Sequence, residues 1–177
     1  LTWTFHLRDG IKWSSGEPVT ANDFKFAWLR VLDKNTVSEY AYMLYPIKGA
    51  KAFNEGSGKK EDVGIKVIDD KTLEVKLETP TAYFASLAAY TTYSPINEKY
   101  FTEKGKEFAL EANDMEYSGP YKIEKWTHDS SFILVKNENY WNKDHIKLDT
   151  IEVKLIADSA SELNAFMNGE VDLIRLT

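Results

Sequence analysis

Apolar residues recur along this chain with two different periods, and the points where one gives way to the other limit the folds open to it. Trp3, Phe5 and Leu7 alternate with Thr4, His6 and Arg8, the period of two that marks a half-buried strand. A turn at Asp9-Gly10 and a polar stretch Ser14-Ser15-Gly16-Glu17-Pro18 follow. From Thr20 the period changes. Phe24, Ala27, Trp28, Val31 and Leu32 fall at i, i+3, i+4, i+7 and i+8, one apolar face of a helix with Thr20 as N-cap and Asp23 in its first turn.

The alternation continues downstream. Ser38 is expected to cap a second helix holding Tyr40, Met43 and Leu44 and broken near Pro46. A short helix is expected over 49–53, and a surface loop over 54–60. Ile65-Lys66-Val67 and Leu73-Glu74-Val75-Lys76-Leu77 flank Asp69-Asp70-Lys71 as a hairpin. Tyr83, Phe84, Leu87 and Ala88 mark a further helix, and 97–104 another. After Ser118-Gly119-Pro120 the character changes: Tyr121-Lys122-Ile123 and Phe132 to Val135 pair antiparallel, joined through Trp126 to Ser131. Ile151, Val153 and Leu155 form a strand, and Asp158 to Glu162 start a helix with Leu163, Phe166 and Met167 as its buried face. Gly169 stops it and a strand resumes at Val171, a β-α-β unit that implies two parallel strands with a right-handed crossover. The fold class is therefore α/β with α+β character. Residues up to about 115 mix helices with antiparallel strands, and the rest begins an α/β sheet. The chain opens and closes on strand-like alternation, which we read as a segment of a longer protein.

Composition narrows the function. The net charge of −6 argues against nucleic acid, whose phosphates call for clustered Lys and Arg. With no cysteine, disulfides, thiolate metal sites and Cys nucleophiles are excluded. Only His6, His128 and His145 could serve a nucleophilic triad, and no Gly-x-Ser-x-Gly elbow, His-Glu-x-x-His pair, EF-hand loop or phosphate-cradling loop occurs. Asp69-Asp70 is a carboxylate pair at a hairpin turn, and Asn139-Tyr140-Trp141-Asn142 reads either as a sugar-stacking platform or as aromatics packed on a sheet. Aromatic residues reach 14%, and this abundance without a catalytic constellation suits a binder better than an enzyme.

Four ordered stretches resemble the family 5 extracellular solute-binding proteins. The first runs from Trp3 through Lys12-Trp13 and Gly16-Glu17-Pro18-Val19-Thr20-Ala21-Asn22-Asp23 to Phe24. The second is Asp69 to Val75 with Pro80-Thr81-Ala82-Tyr83-Phe84. Gly119-Pro120-Tyr121-Lys122-Ile123 leading to Asn137-Glu138-Asn139-Tyr140-Trp141 is the third, and Asn168-Gly169-Glu170-Val171-Asp172 the fourth.

The resemblance implies a fragment of a two-lobed, type II periplasmic-binding-protein clamp with an additional domain, closing on its ligand by hinge motion. Residues 1–115 would be most of the additional domain, and 116–177 part of the first ligand-binding lobe. It further implies the substrate-binding component of an ABC importer, which captures oligopeptides and delivers them to permease subunits. Such a protein is a monomer when complete, needs no cofactor or metal, and meets the membrane only through a lipid anchor or transporter docking, on the extracellular face or in the periplasm. Other ligands of the family (nickel chelates, haem, signalling peptides), or an adhesin or sensor on the same clamp, are the alternatives. Among ligand-binding residues, Tyr40 matches a family tyrosine that reaches the peptide; the competing reading buries it with Met43 and Leu44. Tyr90 falls where a polar aromatic borders a side-chain pocket, against core packing as its alternative. Arg175 and Thr177 lie where a strand enters the cleft. Relatives tend to carry Tyr-Asn at the place of Arg175-Leu176, so Arg175 either pairs a ligand carboxylate or is a surface charge.

Overall fold

The computed structural model describes residues 1–175, in which two three-stranded antiparallel sheets are joined by helices and loops. In the first sheet β1 (Thr2–His6) and β2 (Ile65–Asp69) flank β3 (Thr72–Lys76). The register sets Trp3 opposite Val75 and Phe5 opposite Leu73. Ile65 faces the same Val75 from the other side, so one face of the sheet is apolar throughout.

Helix α1 (Ala21–Leu32) closes that face with Ala27, Trp28, Leu29 and Leu32, all buried. Its start shows why the sequence around it is so specific. The buried Asp23 carboxylate accepts from the Thr20 N–H at 2.8 Å, the Thr20 hydroxyl at 3.2 Å and the Trp13 indole N–H at 3.3 Å. One carboxylate thereby ties Trp13, in the loop after β1, to the helix N-terminus, where negative charge is favoured. Short helices α2 (Ala50–Asn54), α3 (Phe84–Ala88) and α4 (Glu98–Lys104) complete this half, with Leu44, Ile47 and Phe84 inserted into the same core. Gly49, which precedes α2, has φ 71°, and a Cβ there would lie 2.7 Å from the Asp62 carbonyl oxygen. Only glycine fits.

The second sheet has the order β4 (Tyr121–Thr127), β5 (Ser131–Lys136), β6 (Thr150–Lys154). Trp126 belongs to β4 itself, opposite Phe132, rather than to the connection. The loop over 13–18 holds this sheet to the first half. Tyr117 N–H donates to Ser14 Oγ at 3.1 Å, Asn139 Nδ2 donates to the Ser14 carbonyl at 2.9 Å, and the Ser15 hydroxyl donates to Glu116 Oε2 at 2.9 Å. Beside these bonds the Arg8 guanidinium stacks 3.9 Å from the Trp141 ring centroid. Asn139 and Trp141 of the Asn139-Tyr140-Trp141-Asn142 stretch therefore serve this junction.

Helix α5 (Ser159–Met167) starts as expected: Asp158 caps it by accepting from the Ser161 hydroxyl and N–H, which hold its carboxyl below the usual range. Two expectations fail here. Leu163, Phe166 and Met167 are exposed, and only Ala165 of the helix is buried. No strand resumes at Val171 among the described residues, so the parallel β-α-β pair does not form and every strand pairing is antiparallel. A strand needs a neighbour to satisfy its backbone, and the described chain supplies none there.

Candidate functional site

The structure gathers three exposed tyrosines on one face of the first half. The Tyr40 and Tyr90 rings lie 6.1 Å apart at an interplanar angle of 44°, and Tyr42 lies 6.2 Å from Tyr40 at 30°. Their exposures are 46%, 44% and 55%, which separates all three from the core. Tyr40 is therefore not on the buried face with Leu44, and Tyr90 is not packed inside.

Their placement follows from the segments that carry them. The expected helix after Ser38 is a single 3₁₀ turn over Ala41–Leu44, with Tyr40 as its flanking residue at φ −102°, ψ 13°. Ala41 and Leu44 plug that turn into the core and leave Tyr40 and Tyr42 outward. Tyr90 precedes a second 3₁₀ turn, Thr91–Tyr93. The two turns are fastened to each other by Tyr93, whose hydroxyl donates to the Met43 carbonyl at 2.7 Å. Tyr93 is fastened in turn to α1. The Trp28 indole N–H donates to the Tyr93 carbonyl at 2.8 Å, and the two rings meet edge to face at 5.0 Å. A continuous path thus runs from the core helix to the tyrosine face.

Burial raises the Tyr93 phenol well above its usual value near 10. The folded state then keeps its proton at a pH where the unfolded chain loses it, so stability is complete below the ordinary tyrosine value and declines as pH rises past it. Tyr93→Phe is expected to cost about 1 kcal/mol at neutral pH through the lost hydrogen bond. It should also flatten the alkaline decline, and urea unfolding at pH 7 and above pH 10 reads both effects.

The three hydroxyls at the face have a common feature. Among the described residues, those of Tyr45, Tyr93, Tyr100, Tyr117 and Tyr121 donate to protein oxygens, whereas those of Tyr40, Tyr42 and Tyr90, like those of Tyr83 and Tyr140 elsewhere, have no protein acceptor. The face therefore offers apolar ring surface together with free donors and acceptors, a combination suited to recognition. Arg175 is exposed, with its backbone N–H 3.4 Å from Glu162 Oε1, and Thr177 lies outside the described residues. Tyr42 is the member that reading the sequence as a helix misses. A spacing of two puts side chains on different helix faces, while the 3₁₀ turn that begins after Tyr40 lets the rings meet.

Of the histidines, His6 is exposed on β1, and His128 Nε2 lies 3.2 Å from Glu111 with its ring 4.1 Å from that of Trp126. Among the described residues, no three His, Asp or Glu side chains converge as a metal-ligand set.

The sequence matches the family described as Bacterial extracellular solute-binding proteins, family 5 Middle, over residues 1–177. It is 50% identical over 172 residues to the oligopeptide-binding protein OppA of Bacillus subtilis strain 168, covering 97% of this chain and 31% of that protein. The fold superimposes on the substrate-binding domain of an oligopeptide ABC transporter from Bacillus anthracis strain Ames with a TM-score of 0.91 and 42% identity, over 96% of this chain and 33% of the other. Peptide-bound OppA from Listeria monocytogenes gives a TM-score of 0.90 and 43% identity, over 96% and 34%. The chain thus spans about a third of the length of the relatives it matches. With a family match over residues 1–177 and a fold that superimposes on that of its relatives, this chain belongs to the family 5 bacterial extracellular solute-binding proteins, and its fold is that of a fragment of their clamp.

Proposed function

We propose that the protein containing this chain is the extracellular or periplasmic substrate-binding component of an ABC importer, that it captures oligopeptides, and that the tyrosine face is this chain's part of the ligand site. The observation that carries the proposal is the exposed set Tyr40, Tyr42 and Tyr90. It sits on a family fold whose relatives are named for oligopeptide binding. Capture involves no chemistry. An extended peptide satisfies its N–H and C=O groups with protein backbone, as in strand addition, while rings and ordered waters accommodate variable side chains. The exposed Arg175 would pair a ligand carboxylate. Closure of the clamp then presents the loaded protein to permease subunits, with a lipid anchor or transporter docking as its only tie to the membrane.

In this reading residues 1–115 form most of the additional domain and 116–177 part of the first ligand-binding lobe. The buried core, which draws on residues 21–93, and the separate sheet of β4, β5 and β6 support that division. Calorimetric titration of the complete protein with mixed peptides of defined length tests the proposal. Heat of binding is expected, and Tyr40→Ala should weaken it roughly tenfold by removing one ring from the site. Binding of the same peptides with no loss in Tyr40→Ala would remove the tyrosine face from the site.

A further inference from the structure

We infer that Tyr42 extends the tyrosine face into a subsite for an aromatic side chain of the bound peptide. The inference rests on the peptide-capture reading above and adds to it a side-chain preference, assigned to Tyr42. Three observations support it. First, Tyr42 is 55% exposed although it stands in a turn whose neighbours Ala41 and Leu44 are buried, so the fold has an inward option at this turn and does not use it for Tyr42. Second, the Tyr42 ring leans on Tyr40 at 6.2 Å and 30°, and Tyr40 leans on Tyr90 at 6.1 Å and 44°. Rings at these distances and tilts support one another at their edges and leave faces open, the arrangement in which a further ring is accepted in an offset or edge-to-face position.

The third observation concerns rigidity. The turn is held from beneath by the Tyr93 hydroxyl on the Met43 carbonyl at 2.7 Å, one residue beyond Tyr42. The face is therefore formed before a ligand arrives, which limits the entropy lost on binding. A cationic side chain is the competing occupant of an aromatic face. In this chain cations do stack on rings, as Arg8 on Trp141 and Arg30 on Phe101 do. Each of those involves one ring and one cation, whereas Tyr40, tilted against Tyr42 on one side and Tyr90 on the other, joins three rings into one surface suited to a flat apolar side chain.

The test uses the complete protein and a set of peptides identical except at one position, which carries Phe, Lys or Ala, scanned along the peptide. The wild-type protein is expected to prefer Phe over both Lys and Ala by roughly tenfold at one position. Tyr42→Ala should erase that preference by bringing the affinity for the Phe peptide down to that for the Ala peptide, and Tyr42→Phe should retain it, because the ring rather than the hydroxyl makes the contact. Tyr42 lies outside the core of this chain, and the unfolding midpoint of each variant is measured alongside to separate a change in affinity from a change in stability. Preference for Lys, or a Phe preference that survives in Tyr42→Ala, overturns the inference while peptide capture stands. Absence of binding by every peptide in the wild-type protein overturns the capture reading itself, and this inference with it.

Discussion

Replacing Trp28 with alanine is expected to destabilise the protein by about 3–5 kcal/mol, the range for removing a large buried aromatic side chain. Trp28 is 3% exposed and packs edge to face against both Phe24 and Tyr93. Its indole N–H also satisfies the Tyr93 carbonyl, so truncation leaves a cavity and an unpaired buried acceptor together. The loss should reach the tyrosine face, since Tyr93 is what fastens the turn of Tyr40 and Tyr42 to that of Tyr90. Urea unfolding followed by far-UV circular dichroism measures the first effect, and peptide affinity under conditions where the variant remains folded measures the second. Trp28→Phe separates the two causes: it keeps most of the ring area, loses the hydrogen bond, and should cost markedly less. A change below about 1 kcal/mol in Trp28→Ala would mean that the core is not organised around this residue.

The second large effect is expected at Asn137, which is 2% exposed at the exit from β5. Its side-chain amide donates to the Gly119 carbonyl at 2.9 Å and the Tyr117 carbonyl at 3.3 Å, and its Oδ1 accepts from the Asn139 N–H at 3.1 Å. One side chain therefore holds the entry to β4 against the stretch after β5, beside the junction at Ser14. Asn137→Ala removes every one of these partners and should cost about 2–4 kcal/mol, given that each orphaned buried group costs about 1–3. Asn137→Asp is expected to be no better, because a carboxylate is acceptor-only and would face two carbonyl oxygens. Hydrogen exchange locates the effect: protection should fall at residues 117–123 and 137–141 and persist in α1. Uniform loss of protection would indicate instead that the second sheet and the first unfold as one unit.

How far the sequence could be read depends on whether the deciding contact is local. The start of α1 was legible because Thr20 and Asp23 are three residues apart and the cap they form is a property of that spacing. The hairpin of β2 and β3 was legible for the same reason, although its turn is only Asp70-Lys71, with Asp69 paired to Thr72 at the end of β2. Periodicity on α5 likewise revealed an apolar stripe but not what covers it, and in this chain Leu163, Phe166 and Met167 stay exposed. The strand expected at Val171 fails on the same ground, since alternation shows that a segment can pair and not that a partner is at hand.

The candidate site was legible only in part. Tyr40 and Tyr90 entered through resemblance, and nothing in the pattern of residues signalled that segments fifty positions apart meet through the Tyr93 hydroxyl. Tyr42 was hidden by the expectation of an α-helix running through Tyr40: the 3₁₀ turn starts only at Ala41, and Tyr40, outside it at φ −102°, can bring its ring to that of Tyr42. The role of Trp13 was also obscure. The residue entered only as part of the family-like stretch, while its indole N–H completes the set of bonds on Asp23.

Native mass spectrometry of the complete protein, purified without denaturation from a rich medium, tests peptide capture most directly. Adducts of mixed-sequence peptides within a narrow range of lengths are the predicted result, because affinity that comes from the ligand backbone fixes length more than sequence. A spectrum that is empty and stays empty after incubation with peptides would contradict the account.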